Sequence, residues 1–481
     1  MKSVRFLAGA VLVASVAVAA IYWPGAPEPD PLLLAADNPP ETEESMEEAS
    51  KDTASPGFYK QWFDMRKNED GIIPYGLYAE WAAHDAQQST SRSSGLSNVT
   101  QLGPNDAGGR TRALLVDASN SSRYFAGSVS GGLWVSTNRG DSWSPINDQA
   151  SSLSVTSITQ NPFDSDEIYY CTGEPTGSAR GFPGRGIFKS TNGGSSFSLL
   201  SDTDDSEFES CWKIAHSRTE EDVVVVTTDH DGIWRTTNSG NSWSREYNTT
   251  REVNDLIALP NGDFFATIRG DGIYRSTNDG NSWSEITNGL PSSGFDRIAI
   301  AFCENSPSVL YALYAEDDDE ILDVYKSTNG GTSWSVTSGQ PDKDNGQTSY
   351  NLVIGVSATN SNRVFVGAVD TDYSLNGGDD WYSTNAGHFD YHAFAHDPSN
   401  SSMFLVANDA GVYRKRWTNM SSSATELNDG YKVTQFYAGD YFEASGSDYN
   451  VLAGTQDNGT WRRRNTSWKR IHGSDGGYCQ A

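Results

Sequence analysis

The chain has 481 residues and carries 63 acidic against 34 basic side chains, a formal charge of −29 at pH 7. This charge argues against nucleic acid or an anionic membrane surface as a partner, because phosphate groups would be repelled. Hydrophobic residues make up only 36% of the chain, but its 14 Trp, 22 Tyr and 19 Phe supply buried area that disordered chains lack. The composition therefore indicates a folded, acidic protein.

The first 23 residues predict export. Lys2 and Arg5 precede an apolar run over 6–23, and Ala17 and Ala19 suit a cleavage site. Residues 1–23 are either a signal peptide or, if uncleaved, a signal anchor. Both interpretations predict a secreted or cell-envelope protein, whose contact with a membrane is limited to such an anchor.

Two segments separate this signal from the rest of the chain. Residues 24–56 combine many prolines with a cluster of glutamates and predict a disordered acidic linker. Residues 57–95 place aromatic side chains at helical spacing, interrupted by Gly71 and Pro74, and predict a short helical segment.

Residues 96–481 contain one repeated motif. Six segments have Ser or Thr, then Asn two positions later, Gly two positions after that, and an aromatic residue three positions further on. The Asn, Gly and aromatic residues are Asn138, Gly140, Trp143; Asn192, Gly194, Phe197; Asn238, Gly240, Trp243; Asn278, Gly280, Trp283; Asn329, Gly331, Trp334; and Asn376, Gly378, Trp381. The glycines recur every 40 to 54 residues, the period of a four-stranded propeller blade.

Each motif predicts a β-hairpin that joins the two outer strands of a blade. The Asn side chain can bond the turn backbone, the Gly can take a positive φ, and the aromatic residue can pack across the hairpin from the returning strand. We therefore expect an all-β fold, a β-propeller of four-stranded antiparallel blades. Eight units can be counted, beginning near Thr111, Val155, Cys211, Asp255, Arg297, Leu352, Ala393 and Val433.

The number of blades in the ring stays open between seven and eight. Either a strand near residues 98–102 closes the ring with the last blade, or the sequence is C-terminally truncated. An unclosed ring would expose strand edges that a soluble protein has to cover.

The motifs resemble Asp-box repeats of the bacterial neuraminidase type. Two longer stretches, 102–134 and 388–478, resemble exported bacterial proteins related to the sortilin N-terminal domain and to the xyloglucanase propeller. The resemblance implies a β-propeller over nearly all of the folded chain. It implies little about activity, because this scaffold carries many functions.

The resemblance to xyloglucanases also implies two catalytic aspartates, one in a turn of the first blade and one in a Gly-Asp-x-x-Gly turn. Ser130 stands at the first position, and Asp475 approximately matches the second. A serine cannot replace the carboxylate as a base or acid at neutral pH. A glycoside hydrolase acting on β-glucan is therefore the alternative hypothesis, with Asp475 partnered by Glu174 or Asp457.

A long loop and a histidine pair are further candidate sites. The loop over 174–185 offers Arg180, Phe182 and Arg185 to an anionic or sugar ligand, or is a plain surface excursion. His388, Asp390 and His392 alternate, so a strand would point all three toward one face, where they would bind a divalent metal or bond neighbouring blades. No other cofactor is predicted.

Cys171 and Cys211 are either a disulfide or two buried free thiols. Our sequence-based hypothesis is an exported Asp-box propeller that acts as a non-catalytic binding or scaffold module for an extracellular peptide or glycan.

Overall fold

A computed structural model describes residues 102–146, 148, 150–174, 182–342, 346–443, 449–464, 467–477 and 479. The signal, linker and helical segment predicted over 1–95 lie outside these residues, as does Arg180. Among the described residues, no helix is long and apolar enough to cross a membrane.

The described chain folds into eight four-stranded antiparallel sheets, in each of which the strands follow sequence order. We call the first seven blades 1 to 7 and the last one the eighth sheet. Blades 1 to 4 consist of β1 (Thr111–Val116), β2 (Tyr124–Ser128), β3 (Gly132–Ser136) and β4 (Ser144–Pro145); β5 (Val155–Gln160), β6 (Glu167–Thr172), β7 (Ile187–Thr191) and β8 (Ser198–Leu199); β9 (Cys211–His216), β10 (Val224–Thr228), β11 (Ile233–Thr236) and β12 (Ser244–Tyr247); and β13 (Val253–Ala258), β14 (Phe264–Ile268), β15 (Gly272–Ser276) and β16 (Ser284–Ile286).

The remaining four sheets repeat this plan. They consist of β17 (Ile298–Cys303), β18 (Ser306–Ala315), β19 (Ile321–Ser327) and β20 (Ser335–Val336); β21 (Val353–Ser357), β22 (Asn360–Gly367), β23 (Thr371–Ser374) and β24 (Tyr382–Thr384); β25 (Tyr391–His396), β26 (Met403–Asn408), β27 (Gly411–Arg416) and β28 (Thr425–Glu426); and β29 (Phe436–Glu443), β30 (Tyr449–Thr455), β31 (Thr460–Arg464) and β32 (Ser467–His472). Two short 3₁₀ helices, Ser201–Thr203 and Ser206–Phe208, lie between blades 2 and 3. The all-β propeller class is confirmed, and every predicted unit begins within three residues of an observed first strand.

The core lies between successive blades. The second strands are the most apolar, and all residues of β2, β10, β14 and β26 are buried, because a neighbouring blade covers each face. A typical cluster joins Ala113, Phe125 and Leu133 of blade 1 to Val155 and Ile168 of blade 2. Each blade therefore depends on the next one for burial, as repeat architectures do.

The predicted hairpins are confirmed, and they share one set of hydrogen bonds. In blade 1 the Ser136 hydroxyl donates to Asn138 Oδ1 at 2.8 Å and accepts from the backbone N–H of Gly140 at 2.8 Å. The same Asn138 oxygen accepts from the Ser142 N–H at 3.0 Å. Gly140 has φ 87°, and the residue before it, Arg139, has φ 62°, which matches the left-handed turns that suit twisted hairpins. We call this unit the corner.

The position predicted for the corner aromatic residue is wrong by one residue. In all six corners it precedes the fourth strand, and its ring packs in more than one way. Trp283 and Trp334 donate their indole N–H to the glycine carbonyl of their own corner. Trp143 instead donates to the carbonyl of Leu427 beside blade 7, and Trp381 to a carbonyl in the segment before blade 6. In some corners the indole therefore bonds within its own hairpin, whereas in others it bonds to a segment beside another blade or before its own.

Seven blades close the ring. The first strands contact one another in the order β1, β5, β9, β13, β17, β21 and β25, and β25 contacts β1. One cluster seals this junction, in which Trp134 and Trp143 of blade 1 pack with Leu405, Leu427 and Tyr431. Residues 98–101, where a closing strand was predicted, lie outside the described residues, and the described contacts close the ring between blades 7 and 1.

The eighth sheet attaches to one end of the closed ring. The indole N–H of Trp468 donates to the carbonyl of Leu102 at 2.6 Å, and the Asn458 amide donates to the carbonyl of Asp409 at 2.9 Å. These contacts place the loop between β30 and β31 beside the loop between β26 and β27 of blade 7. That proximity builds the candidate site.

Candidate functional site

The two ends of the propeller differ in character. The corners join third to fourth strands and lie at one end of blades 1 to 6, whereas the loops that join second to third strands lie at the opposite end. The segments that enter the first strands reach this second end as well. We call its central part the mouth and define it by six residues: Arg110, Glu174, Tyr350, Asp390, Asp409 and Asp457. Each comes from an entering segment or from a loop after a second strand.

Arg110 is the centre of the mouth. Its Nε and Nη2 donate to the two carboxylate oxygens of Asp409 at 2.9 and 2.6 Å, and Nη2 also lies 3.2 Å from Asp457 Oδ2. Its Nη1 is 3.8 Å from Glu174 Oε1, and its guanidinium carbon lies 5.0 Å from the ring centre of Tyr350. Burial by itself lowers the pKa of Arg110, but Asp409, Tyr350 and Glu174 together outweigh burial and raise it. The arginine is therefore a fixed cation.

Asp409 is the permanent anion of the mouth. Burial tends to raise its pKa, but Arg110 and His392 hold it well below the usual range. Burial lowers the pKa of His392 to about 3, so this imidazole is neutral and donates its Nε2–H to Asp409 at 2.6 Å. Because Asp409 is satisfied by both partners, it has no free role as a nucleophile.

Asp457 and Asp390 are carboxyl groups that keep a proton near neutral pH. Burial and the adjacent Asp409 raise the pKa of Asp457 to about 8 and that of Asp390 to about 7. Oxygens of these three aspartates all lie within 4.8 Å of one another. Asp457 and Asp390 also have positive φ, 59° and 66°. Non-glycine residues in this region cost energy, and such strain concentrates at functional sites.

The three carboxylates that the sequence predicted as catalytic candidates come together around Arg110. Glu174 and Asp457 flank the guanidinium directly, and Asp475 accepts the backbone N–H of Asp457 at 2.8 Å. Glu174 is almost fully buried and accepts a hydrogen bond from the Tyr350 hydroxyl. Asp475 is exposed and Asp457 is partly exposed, so these two members of the set can be reached by an incoming molecule.

In the first blade, the turn that contains Ser130 lies beside this network. The N–H of Val129 donates to the carbonyl of Arg110 at 3.2 Å, which places Ser130 next to the mouth. The Ser128 hydroxyl accepts from the N–H groups of Ser130 and Gly131. The carboxylates of the mouth thus come from other blades and from the eighth sheet.

Of the predicted binding residues of the long loop, Phe182 lies next to the mouth and Arg185 is held in an ion pair, while Arg180 lies outside the described residues. The carbonyl of Phe182 accepts from the N–H of Glu174 at 2.7 Å, and its ring is half-buried. Arg185 forms an ion pair with Asp204, with Nη2 and Oδ2 3.0 Å apart. A role for Arg185 in anion binding would require this pair to break.

The predicted strand geometry around the histidines is wrong. β25 begins at Tyr391, and Asp390 has a left-handed backbone, so 388–392 do not alternate along one strand. The group that could surround a metal ion contains Asp390 with Asp409 and Asp457, not with His388 and His392. Arg110 already lies between Asp409 and Asp457 as a cation, so a metal would compete with its guanidinium.

Sequence reasoning missed Arg110, Asp409 and Tyr350 as members of the site. The Gly108–Arg112 segment and the residues after each second strand were the available signals. Asp409 follows β26 as Asp457 follows β30, and Glu174 follows β6. Comparing the loops just after the second strand of each sheet would have grouped Asp409, Asp457 and Glu174.

No protein-family model and no curated protein matches the sequence. Among solved structures, the GH74 xyloglucanase from Xanthomonas campestris is similar at 14% identity and a TM-score of 0.59, over 79% of this chain and 70% of that one. An ancestral GH74 enzyme matches at 18% and 0.60 over 77% and 56%, and the Niastella koreensis GH74 enzyme at 16% and 0.58 over 78% and 60%. This chain thus spans between 56% and 70% of those proteins. At such low identity the likeness shows the fold alone: the chain is a β-propeller built like those of GH74 enzymes.

Proposed function

We propose that this chain is an exported β-propeller that binds an extracellular glycan at its mouth. The observation that carries the proposal is the pairing of a rigid, charged network with exposed aromatic rings. Phe389 is 52% exposed and precedes Asp390, and its carbonyl lies 3.5 Å from the N–H of Asp409. Phe436, 46% exposed, begins β29 opposite Thr455, close to Asp457.

Sugars present hydroxyl groups and apolar faces together. Carboxylates accept hydrogen bonds from the hydroxyls and a guanidinium donates hydrogen bonds to them, while an exposed ring covers the apolar face. The mouth carries both kinds of group on a scaffold whose blades are locked by buried contacts. The export signal predicted over 1–23 supports an extracellular ligand, and a peptide is the competing ligand class.

Binding to a glycan array and calorimetry with xyloglucan and other β-glucan oligosaccharides test the proposal. We expect Phe389→Ala to abolish binding and Phe163→Ala to retain it, because Phe163 is 50% exposed but lies between first and second strands at the corner end. Asp475→Asn should weaken binding, whereas Asp141→Asn should not, since Asp141 lies in a corner whose equivalents in blades 3 and 4 are Asn241 and Asn281. Capture of peptides but no glycan would overturn the ligand class, and no ligand of either kind would overturn the binding role.

A glycoside hydrolase of the xyloglucanase type is the second candidate, and the proton on Asp457 favours it. A general acid must hold its proton near the working pH, as the raised pKa of Asp457 allows, and Asp475 lies beside it as the exposed carboxylate. Release of reducing sugar from β-glucan that is lost in Asp457→Asn and in Asp475→Asn, but kept in Asp141→Asn, would establish catalysis. Binding without release would leave the first proposal in place.

A further inference from the structure

A cavity runs along the propeller axis beneath the mouth. It has a volume of about 270 Å³ and is lined by residues from the first strands of all seven blades. Its wall carries Arg112 from blade 1 and Lys213 and Asp255 from blades 3 and 4. Arg297, at the start of blade 5, and His396 of blade 7 also line it.

Arg112 and Arg297 are buried and have hydrogen-bond donors without acceptors. The two residues are only 6% and 5% exposed. Within the described part of the chain, Nε and Nη2 of Arg112 and Nε of Arg297 have no hydrogen-bond partner. The remaining donors of Arg297 are used, because Nη1 donates to the carbonyl of Tyr350 at 2.5 Å. A buried charged donor without an acceptor is costly, so each such group calls for a partner such as water or an ion.

The charge of this pair is only partly balanced. Arg110 is neutralised by Asp409, while Glu174 lies 3.8 Å from both Arg110 and Arg112 and is shared between them. Lys213 and Asp255 face each other at 3.7 Å. The guanidinium groups of Arg112 and Arg297 lie 5.6 and 4.9 Å from the ring centre of Trp212, which offers π-electron density but no full charge.

The titration of Arg297 agrees with this imbalance. Burial and the like charge of Arg112 lower its pKa to about 9. Burial lowers the pKa of His396 in the same cavity to about 4, so this imidazole adds no positive charge at neutral pH. Arg112 and Arg297 are thus two buried cations close enough to repel each other, and an anion between them would relieve this repulsion.

We propose that the axial cavity binds a small oxyanion between Arg112 and Arg297. Nη2 of Arg112 and Nε of Arg297 supply the donors to a carboxylate, phosphate or sulfate, while Nε of Arg112 lies 3.8 Å from Glu174 Oε1. The volume suits one such ion with water rather than a polymer. This site adjoins the mouth, because Arg112 lies beside Glu174 and Tyr350, but the inference does not depend on glycan binding there.

Thermal unfolding of the full chain at fixed ionic strength tests the site, with chloride replaced stepwise by sulfate, phosphate or acetate. We expect the Tm to rise saturably with one of these anions, because a ligand that binds only the folded state stabilises it. The anion that saturates at the lowest concentration separates phosphate or sulfate from carboxylate as the source. Calorimetry with that anion should give one site per chain.

Variants decide whether the arginines hold the anion. Arg112→Gln and Arg297→Gln should raise the saturating concentration at least tenfold, which corresponds to loss of one charge-assisted hydrogen bond of about 1.5 kcal/mol or more. Arg416→Gln removes the same charge from an exposed position of blade 7 and should change nothing. If the glutamine variants do not fold, Arg112→Lys keeps the charge but loses the Nη2 donor of the guanidinium, and it should show the same weakening. A Tm independent of anion identity, or variants that saturate like the parent chain, would overturn the proposal.

Discussion

Arg110 and Asp409 form a two-point ion pair across 299 residues of sequence, with Nε–Oδ1 and Nη2–Oδ2 distances of 2.9 and 2.6 Å. The pair connects the segment that enters blade 1 with the loop that follows β26 of blade 7. It therefore spans the junction at which the seven-bladed ring closes. Burial raises the pKa of Asp390 and Asp457, and of the pair Asp409 raises these pKa values further, whereas Arg110 lowers them.

Removal of one partner should destabilise the whole ring. Asp409→Ala leaves the buried guanidinium of Arg110 without its main counter-ion, and we expect the free energy of unfolding to fall by about 3–5 kcal/mol. Denaturant unfolding followed by tryptophan fluorescence measures this change, with Asp141→Asn as the matched loss of a surface charge. A loss below about 1 kcal/mol would mean that the pair contributes little to closure of the ring.

The mouth should make stability decrease as the pH rises. The folded-state pKa values of Asp390 and Asp457 are raised to about 7 and about 8, above the value near 4 of an unfolded chain. Such a group binds a proton more tightly when folded, so its contribution is complete below pH 4 and is lost as the pH passes 7 to 8. The contribution of Asp409 to stability changes with pH in the opposite direction, because its folded-state pKa is depressed. This contribution persists as the pH falls into the acidic range.

Two variants isolate this effect. Asp457→Asn and Asp390→Asn cannot ionise, so each should flatten the decrease of the Tm between pH 5 and pH 9 and raise the Tm at the alkaline end. The slope should be unchanged in Asp141→Asn. An unaltered slope in both mouth variants would show that these carboxyl groups are ionised at neutral pH.

The corner hydroxyl should matter more than its exposed neighbour. Ser276 is fully buried and accepts the Gly280 N–H at 2.9 Å, so Ser276→Ala strands a buried donor and should cost about 1–3 kcal/mol. Ser282 accepts from the Asn278 amide at 3.0 Å but is exposed, so water can replace it, and Ser282→Ala should cost about 0.5 kcal/mol or less. Equal losses in the two variants, measured by thermal unfolding, would contradict this account of the corner.

The cysteines should divide into one reactive and three protected thiols. Cys171, Cys211 and Cys303 are buried and free, and Cys479 is half-buried. Cys171 and Cys211 interact between blades 2 and 3; burial raises the pKa of the Cys171 thiol, but hydrogen bonding to Cys211 and Thr156 outweighs burial and lowers it. Brief treatment of the native chain with iodoacetamide should label Cys479 first, and unfolding without reductant should label all four. Labelling of only two after unfolding would show that Cys171 and Cys211 had formed a disulfide.

The sequence by itself determined the repeating parts of this protein. The corner could be predicted because its hydrogen bonds connect residues at most four positions apart, such as Ser136 and Gly140, so their identities and spacing carry the whole geometry. The starts of the eight sheets followed from the same period, since each blade contains its own strand and turn signals.

Only the tertiary structure decided how many blades close the ring and which side chains meet at its mouth. β1 contacts β25 because Trp143, Leu427 and Tyr431 complete one core, and no local pattern records that junction. Arg110, Asp409 and Asp457 belong to three different sheets, so their contact depends on the curvature summed over seven blades. The total curvature over seven blades brings these distant residues together. A sequence pattern that repeats once per blade does not specify this total curvature.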